Sequence, residues 1–380
     1  MNILVICHYG NYYPEESSFV HAQTKEYVKL GHHVRVIVPV ALGTLAWGYG
    51  RWRSEPRHLD GVDIHPIRYL SLSNYGKRWF NTFAAVNAIK YNLDNVLKNF
   101  DVDVIHAHTI GLDSKIGAYF KKITGAPLVI TTHGSDTFLP QADGTLFRYR
   151  TVCNQADALV AVSSLLKRTL QLCGTNTSIS VILNGYQRDN VVFGGEKRDG
   201  LILQAGSLIK RKRTNTTICA VSLLHKIIPN VRLEVVGEGP EQEDLQRLVE
   251  TLKIQEAVQF CGQITNSKLL KKMSEAQFFI MPSVNEGFGI VYLEAMSSGC
   301  ITIGTENEGI SDLIVNGVNG FLVPPDNPEA IAREIEWCMK NREEALSIAE
   351  RGKRVSLELT WEKNAKEYIA LFRELIGECK

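Results

Sequence analysis

Short apolar runs alternate with amphipathic stretches along nearly the whole chain, and this alternation restricts the possible folds more than any other feature. Continuous apolar runs separated by helical patterns indicate a parallel sheet whose two faces are both covered by helices. The runs predicted as strands are Ile3–Cys7, Val34–Pro39, Val62–Tyr69, Val102–His108, Leu128–Thr132, Ala158–Val162, Ile179–Leu183, Leu201–Ala205, Val231–Val236, Val258–Cys261, Phe278–Met281, Ile301–Ile303 and Gly320–Val323. Ligands of such sheets bind beyond the carboxyl ends of the strands, so the fold class also predicts where a site lies.

The length of the chain and one polar interruption predict two α/β domains. A chain of 380 residues can form two domains with separate cores. The polar stretch Arg188–Gly200 breaks the alternation near the middle. We therefore place a first Rossmann-like domain at 1–190, a linker at 191–199 and a second Rossmann-like domain at 200–360. The final helix, predicted for 361–380, is expected to pack back on the first domain.

Composition places the chain among ordinary globular proteins and excludes several classes of function. Hydrophobic residues make up 44% and charged residues 22%, and the net charge of +1 gives no reason to expect a nucleic-acid partner. The eight cysteines include no Cys-x-x-Cys pair, which indicates reduced thiols rather than disulfides or a zinc site. No basic leader precedes the first apolar run, and no run approaches the roughly 20 residues that span a bilayer. We expect a cytoplasmic protein, with the inner face of the membrane as the alternative location.

The segment Asn285–Gly299 carries the most specific chemical signal. It follows a predicted strand and places Glu286 and Glu294 around a glycine-containing turn that opens a helix. A strand, a glycine loop and a helix start form an anion site, because unpaired backbone N–H groups and the helix dipole point at one spot. If every step between the two glutamates were helical, they would be separated by roughly 12 Å. They could then contact hydroxyls at opposite ends of a ligand whose anionic centre rests on the helix, as in a nucleotide sugar.

This segment resembles the Glu-(seven residues)-Glu motif of the family 4 retaining glycosyltransferases. Other elements of that family follow in the same order, and they are Leu30–Val34, Asp103–His108, Thr132–Gly134, Val162–Ser163, Val235–Pro240, Phe260–Gly262, Pro282–Ser283, Glu308–Ile310 and Gly317–Phe321. The resemblance implies the GT-B fold, which is α/β with two Rossmann-like domains facing each other across a cleft. It also implies a hexosyltransferase that uses a nucleotide sugar as substrate and needs neither a metal nor a cofactor.

The resemblance further implies roles for the residues around the two glutamates. Glu294 would bind the donor ribose, and Glu286 would lie beside the donor sugar as a catalytic residue without being a nucleophile. In the mechanism that the family implies, the acceptor attacks from the same face and the departing phosphate takes its proton. The other donor-binding residues lie at the helix start and on neighbouring loops, and they are Gly287, Phe288, Gly289, Ile290, Gly206, Ser207, Gly237 and Gln263.

A basic run at 210–213 follows the first strand of the second domain and is expected to face the donor phosphates, with a solvated surface as the alternative interpretation. The family places an Arg directly after the glycine that ends this strand and a Lys five residues later. Lys212 matches that Lys and is predicted to be catalytic, but Ser207 occupies the Arg position. Lys210 or Arg211 would then supply the second charge.

In the first domain, His133 ends a strand and resembles the family histidine that contacts the donor sugar or the acceptor, so it is predicted to be catalytic. Ser17 and Ser18 stand where relatives carry a Gly-Gly pair, and they are the predicted acceptor-side residues. His106 and His108 share one face of a strand and raise the question of zinc. Because no third ligand follows at a recognisable spacing, no metal site is predicted.

The predicted function is transfer of a hexose or N-acetylhexosamine from a nucleotide sugar, with UDP as the expected nucleotide. The acceptor would be a saccharide or a lipid-linked glycan in cell-surface polysaccharide biosynthesis. Basic and aromatic residues mix in Trp47–Arg57 and Tyr75–Tyr91, which suits an anionic membrane surface, and a core-facing helix with a solvated basic end is the alternative. A nucleotide-sugar epimerase and an inactive sugar-nucleotide-binding protein of the same fold are the alternative functions.

Overall fold

The computed structural model describes residues 1–8, 19–41, 56–71, 78–187 and 195–377. The chain forms two compact units, which we call the first unit (Met1–Leu183 with Trp361–Lys380) and the second unit (Asn184–Thr360). The first domain was predicted to extend to residue 190, whereas the second unit begins at Asn184 and ends at Thr360. The reason is backbone pairing, because the N–H of Tyr186 donates to the carbonyl of Leu359 at 3.1 Å.

The first unit is built on an eight-stranded sheet with strand order β3-β4-β2-β1-β5-β6-β7-β8. Its strands are β1 (Asn2–Ile6), β2 (His33–Ala41), β3 (Arg57–Leu59), β4 (Val62–Tyr69), β5 (Val104–His108), β6 (Leu128–Thr132), β7 (Ala158–Ala161) and β8 (Ile179–Val181). Its helices are α1 (Phe19–Lys29), α2 (Arg78–Tyr91), α3 (Leu93–Leu97), α4 (Leu112–Thr124), α5 (Ser135–Ala142), α6 (Arg150–Cys153), α7 (Ser164–Gln171) and α14 (Trp361–Leu375). The strand pairs are parallel except for β3 with β4, which is antiparallel.

The second unit is built on a six-stranded parallel sheet with strand order β11-β10-β9-β12-β13-β14. Its strands are β9 (Arg198–Ala205), β10 (Arg232–Val236), β11 (Val258–Phe260), β12 (Ala276–Ile280), β13 (Ile301–Thr305) and β14 (Phe321–Val323). Its helices are α8 (Thr214–His225), α9 (Gln242–Thr251), α10 (Asn266–Glu275), α11 (Ile290–Ser297), α12 (Pro328–Lys340) and α13 (Arg342–Leu357). Counted from β9, the order is 3-2-1-4-5-6, the Rossmann order, and its direction reverses between β9 and β12.

Both faces of the first sheet are buried, as the continuous apolar runs predict. Leu4 and Ile6 of β1 join one apolar cluster, whereas Ile3 and Val5 join a second cluster on the opposite face. Successive side chains of a strand point to opposite faces, so β1 must be apolar at each buried position, from Ile3 to Ile6. Each fully buried aliphatic side chain contributes about 1.5–3 kcal/mol relative to an exposed one. The prediction of two parallel-sheet α/β domains is confirmed.

The last helix, α14, packs within the first unit against α1 and the sheet. The amide of Gln23 donates to Asn364 Oδ1 at 2.6 Å, and Tyr368 OH lies 2.9 Å from Thr131 Oγ1. The rings of Tyr27 and Phe372 meet edge to face at 5.9 Å. Residues more than two hundred positions apart thus share one core. Among the described residues, no helix is long and apolar enough to cross a membrane.

Candidate active site

The candidate site in the second unit lies where the strand order reverses. β9 and β12 are hydrogen-bonded neighbours, with Leu203 opposite Phe279, so the segments that follow them emerge side by side at the carboxyl edge. After β9 come Gly206, a short 3-10 turn at Lys210–Lys212 and helix α8. After β12 comes the loop that leads to α11. This position of reversal is where Rossmann-like sheets bind their ligands.

Three charged side chains meet at this edge. Lys212 Nζ lies 2.6 Å and Arg211 Nη1 lies 3.0 Å from the same oxygen, Oε2 of Glu286. The side chains of Lys212 and Glu286 are each 13% exposed, whereas that of Arg211 is 43% exposed. The N–H of Val284 also donates to the carbonyl of Arg211 at 2.8 Å, which ties the two loops together. We call Arg211, Lys212 and Glu286 the cation–carboxylate cluster.

Glu308 holds the backbone that carries Glu286. Its two carboxylate oxygens accept the N–H groups of Asn285 at 3.0 Å and of Glu286 at 2.9 Å. Asn285 has φ 54°, a left-handed conformation that asparagine tolerates better than most residues. Burial raises the pKa of Glu308 above its ordinary value, and the two amide hydrogen bonds oppose that shift. Glu308 therefore fixes the loop from the backbone side while leaving the Glu286 carboxylate to the cations.

Two close backbone contacts bring these loops together, and each requires a glycine. A Cβ on Gly309 would lie 2.1 Å from the carbonyl oxygen of Gly287. A Cβ on Gly237 would lie 2.0 Å from the carbonyl oxygen of Gly206. Such distances are far inside van der Waals contact, so any side chain there would push the loops apart. The ends of neighbouring strands can approach this closely only without side chains.

Helix α11 begins at Ile290, with Gly289 as its N-cap, as the sequence predicts. Phe288 is buried, and the hydroxyl of Tyr292 donates to the backbone carbonyl of Met281, so the helix start is anchored to the end of β12. The first N–H groups of a helix lack intrahelical partners and face outward from its N-terminus. The loop and the helix start are therefore oriented for an anion.

Glu294 lies inside α11, in a partly buried position. Burial raises the pKa of Glu294 to about 7, since no opposite charge among the described residues compensates for the loss of hydration. It differs in this respect from Glu286, which has two cationic partners. A carboxylate without a charged partner is available to accept hydrogen bonds from a ligand.

The remaining predicted donor residues lie on neighbouring loops at the same edge. The N–H of Gly237 donates to the carbonyl of Gly262 at 2.9 Å, which aligns the loops after β10 and β11. The N–H of Gln263 lies 3.3 Å from Glu238 Oε1. Ser207 and Gln263 are exposed. Ser207 has a neutral side chain, and the second cation beside Glu286 is Arg211.

In the first unit, His133 lies at the carboxyl end of β6 within a group of histidines. Its Nε2 is 3.0 Å from Nδ1 of His108, and the two rings stack with an interplanar angle of 13°. Burial lowers the pKa of His133 to about 4, and it lowers that of His108 well below the ordinary value. Nδ1 of His133 has no hydrogen-bond partner among the described residues. The same holds for Nε2 of His108, so two buried ring nitrogens of this group lack a hydrogen-bond partner in the part of the chain that the structure describes. Because burial lowers their pKa values, the rings are neutral near pH 7.

A second pair lies beside these rings, at the carboxyl end of β1. Nδ1 of His8 is 2.7 Å from Oδ2 of Asp113, and the hydroxyl of Thr109 donates to the same oxygen at 2.9 Å. The carboxylate of Asp113 raises the pKa of His8 against the opposing effect of burial. Thr109 has φ 96°, which is strained for a β-branched residue and is typical of functional sites.

Family models match both halves of the chain. The model described as Glycosyltransferase Family 4 matches residues 17–190, and the model described as Glycosyl transferases group 1 matches residues 187–355. The chain belongs to the family 4 glycosyltransferases. Its two parallel-sheet α/β units are those of the GT-B fold.

Relatives of this family 4 glycosyltransferase match most of its length. An uncharacterized glycosyltransferase of Methanocaldococcus jannaschii is 25% identical over 84% of this chain and 87% of its own. The N-acetyl-α-D-glucosaminyl L-malate synthase of Bacillus anthracis is 28% identical over 77% of this chain and 80% of its own. Among solved structures, Anabaena HepE in complex with UDP and glucose has a TM-score of 0.76 at 18% identity, covering 98% of this chain and 100% of its own. Sucrose-phosphate synthase of Thermosynechococcus elongatus has a TM-score of 0.80 at 20% identity, covering 99% of each chain.

Two predicted residues of this glycosyltransferase, Ser17 and Ser18, lie outside the described residues. The rings of His106 and His108 lie 4.1 Å apart between centroids and are tilted by 43°, and Nε2 of His106 is 2.8 Å from Oγ1 of Thr131. In the part of the chain that the structure describes, no three His, Cys, Asp or Glu side chains are grouped as metal ligands.

Sequence reasoning missed three contributors to these edges of the glycosyltransferase, namely Glu308, the His8–Asp113 pair and Asp136. Asp136 Oδ1 accepts the N–H groups of His133 at 3.1 Å and Gly134 at 2.9 Å. An acidic residue three positions after His133, at a helix start, was a local signal for that contact. Glu308 was named only as part of the family resemblance, and its contacts with Asn285 and Glu286, like that of Asp113 with His8, join loops that are remote along the chain.

Proposed function

We propose that this family 4 glycosyltransferase moves a hexose or N-acetylhexosamine from a UDP-sugar to a saccharide or lipid-linked acceptor with retention of anomeric configuration. One observation carries the proposal: the cation–carboxylate cluster lies where the Rossmann-type sheet reverses its strand order, beside the start of α11. A diphosphate bound there meets fixed cations and backbone N–H groups. The expected setting is the synthesis of cell-surface glycans.

The leaving group sets the main energetic requirement. Breaking the bond between the sugar and the diphosphate develops negative charge on the phosphate, and positioned donors must stabilise that charge. Lys212 and Arg211 supply two such cations, and the N-terminus of α11 adds a partial positive charge. This charge balance supports a mechanism that does not depend on a metal ion.

Glu294 and Glu286 would contact the two ends of the donor. The partnerless carboxylate of Glu294 suits the ribose hydroxyls, and Glu286 suits the sugar beside the cations. Because Lys212 and Arg211 both donate to Oε2 of Glu286, its nucleophilicity is reduced. Retention is therefore assigned to attack by the acceptor on the face that the phosphate leaves, with the phosphate taking the acceptor's proton.

The relatives support the choice of donor. HepE was crystallised with UDP-glucose, and the pneumococcal O-GlcNAc transferase GtfA was crystallised with UDP and GlcNAc. A hexose or an N-acetylhexosamine on UDP is therefore the first donor class to test.

The test is a binding and hydrolysis screen of UDP-, GDP- and ADP-linked glucose and N-acetylglucosamine. We expect a UDP-sugar to bind and to release UDP slowly to water, with activity that persists in EDTA. NMR of the released sugar reports the anomer that forms first, and retention predicts the α-anomer from an α-linked donor. An epimerised sugar nucleotide would instead identify the epimerase, and failure of all donors at millimolar concentration would contradict the proposal.

A membrane surface is the second proposed partner, since lipid-linked acceptors are presented there. No Asp or Glu occurs from residue 64 to 93, whereas the described part of this stretch exposes Leu70 (68%), Phe83 (62%) and Tyr91 (91%) together with Lys90. Basic and aromatic groups without acids suit anionic headgroups. Co-sedimentation with vesicles of phosphatidylglycerol, compared with phosphatidylcholine alone, tests this partner. Equal sedimentation with both would contradict it.

A further inference from the structure

We propose that Glu286 acts as an internal anion that competes with the diphosphate for Lys212 and Arg211, so that the site holds an intact UDP-sugar better than spent UDP. This inference rests on the proposed function and deepens it. It assigns to one carboxylate both contact with the donor sugar and expulsion of the product.

The contacts set up the competition directly. Lys212 Nζ is 2.6 Å from Glu286 Oε2 and 3.4 Å from Met281 Sδ, so two of its three donor directions are already used. Arg211 donates to the same carboxylate oxygen at 3.0 Å. An incoming phosphate oxygen must displace this carboxylate or lie beside it. In both cases two anions share the same cations, which weakens phosphate binding.

The carboxylate cannot withdraw far from the cations when a phosphate arrives. Glu308 holds the N–H groups of Asn285 and Glu286, and the carbonyl of Glu286 accepts the N–H of Gly309 at 3.2 Å. The backbone of the loop is thus fixed on both sides of the peptide. A phosphate can therefore displace the Glu286 carboxylate only by rotation of the Glu286 side chain, and this rotation keeps the negative charge close to the cations.

Intact donor and spent product differ in how they meet this anion. The donor carries sugar hydroxyls that can donate hydrogen bonds to Glu286 and compensate for its displaced cations. In UDP no sugar is attached to the terminal phosphate, so these hydroxyls are missing. That free phosphate also carries more negative charge than the same phosphate when it is esterified to the sugar. Glu286 therefore penalises UDP more than UDP-sugar and favours release of the product after transfer.

Isothermal titration of the full chain with UDP and with UDP-glucose tests the inference. In Glu286→Gln we expect UDP to bind about tenfold tighter than in the wild type, because the competing charge is gone. UDP-glucose should bind no tighter, since the amide is a weaker acceptor for the sugar hydroxyls. The ratio of the two dissociation constants should therefore shift toward UDP by at least about tenfold.

Asp326→Asn is the matched control. Arg213, the next residue after Lys212, has its Nε 2.8 Å from Oδ1 of Asp326, so this substitution also removes one negative charge beside the same basic run. It does not touch the cation–carboxylate cluster, and UDP affinity should change less than about twofold. Equal tightening in Asp326→Asn and Glu286→Gln would reduce the effect to net charge and overturn the inference.

A second pair of variants isolates the competition. In an Arg211→Gln background, Glu286→Gln should tighten UDP by less than it does in the wild type, since one of the two cations it frees is missing. Additive effects would overturn the inference, as would unchanged UDP affinity in Glu286→Gln. If wild type and all variants failed to bind both UDP and UDP-glucose, the proposed function itself would fail. If the wild type bound UDP and Glu286→Gln bound it no tighter, the inference would fail and the proposed function would stand.

Discussion

The carboxyl edges of the two sheets differ in the charge of the side chains that they carry. In the second unit, permanent cations and a carboxylate meet within 2.6–3.0 Å at the reversal between β9 and β12. In the first unit, whose order reverses between β1 and β5, burial lowers the pKa of His106 to about 3 and that of His133 to about 4. One edge carries an ion-paired cluster that suits the charged diphosphate of the proposed donor, whereas the other carries neutral rings that form hydrogen bonds.

His8 is the exception within the first unit, and it shows the cause of the difference. Its partner Asp113 raises the pKa of His8, whereas burial is the main cause that lowers the pKa values of His106 and His108. The side chain of His8 is 38% exposed, and that of Asp113 is fully buried. The carboxylate of Asp113 thus outweighs the burial of His8, whereas that of Asp136 does not outweigh the burial of His133, whose pKa stays at about 4.

A substitution in the cation–carboxylate cluster should cause the largest loss of activity. Lys212→Ala should lower kcat/KM about 100-fold, because about 3 kcal/mol of leaving-group stabilisation is removed with the ammonium. Steady-state kinetics with a UDP-sugar measures this loss. Lys210→Ala, on the same turn but exposed, is the control and should stay within about twofold of the wild type. A loss of less than about fivefold in Lys212→Ala would contradict its role.

The carboxylate without a partner should affect donor binding more than chemistry. Glu294→Gln should raise donor KM about tenfold or more with a smaller fall in kcat, because hydrogen bonds from ribose hydroxyls to a charged acceptor contribute about 1.5–3 kcal/mol. Wild-type KM should also rise as the pH falls through about 7, where Glu294 takes up a proton. The Gln variant should lack that pH dependence. Glu243→Gln, whose side chain is 86% exposed, is the control, and an unchanged donor KM in Glu294→Gln would exclude the ribose contact.

The neutral edge should behave differently from the charged one. His133→Gln should lower kcat about tenfold, the value of one hydrogen bond to the reacting groups, and leave the affinity for UDP unchanged. Calorimetry with UDP and kinetics with a UDP-sugar measure the two quantities on one preparation. His58→Gln, on an exposed histidine of β3, is the control. Weaker UDP binding in His133→Gln would contradict the assignment of UDP binding to the second unit alone.

The smallest effect concerns stability. The folded-state pKa of Glu294 is about 7, above its ordinary value of 4.5, so its contribution to stability is fully present below pH 4.5 and is lost as the pH rises through about 7. The neutral Glu294→Gln variant should therefore be more stable than the wild type at pH 8, by about 1 kcal/mol after allowing for partial exposure. Thermal unfolding at pH 5 and pH 8 checks the sign. A larger stabilisation at pH 5 than at pH 8 would contradict it.

Local patterns predicted the parts of this molecule that local physics controls. The start of α11 at Ile290 follows from a glycine after a buried strand, and the sheets follow from continuous apolar runs. The choice between Lys210 and Arg211 could not be made, because a run of four basic residues does not show which side chain turns toward the loop after β12. Arg211 is selected by its contact with Glu286, which lies 75 positions away.

Contacts between residues far apart in the chain could not be predicted from the sequence for the same reason. Glu308 binds amides 22 and 23 positions earlier, and His8 meets Asp113 across 105 positions. Such contacts depend on which strands become neighbours in the sheet, and a single sequence does not show that order. The domain boundary was predicted at residue 190, and the structure has it at Leu183. The pairing of Tyr186 with Leu359 that accounts for this difference is equally remote along the chain.

The place of α14 has a consequence for how the protein is made. A ribosome releases the strands and helices up to Leu183 early, but the segment that covers Tyr27 and hydrogen-bonds to Gln23 and Thr131 emerges only after the whole second unit. The second unit can complete its core as soon as Thr360 is clear of the exit tunnel, while the earlier-synthesised unit waits with an uncovered apolar surface. Nascent chains stalled before Trp361 should accordingly need chaperones until α14 is released from the ribosome.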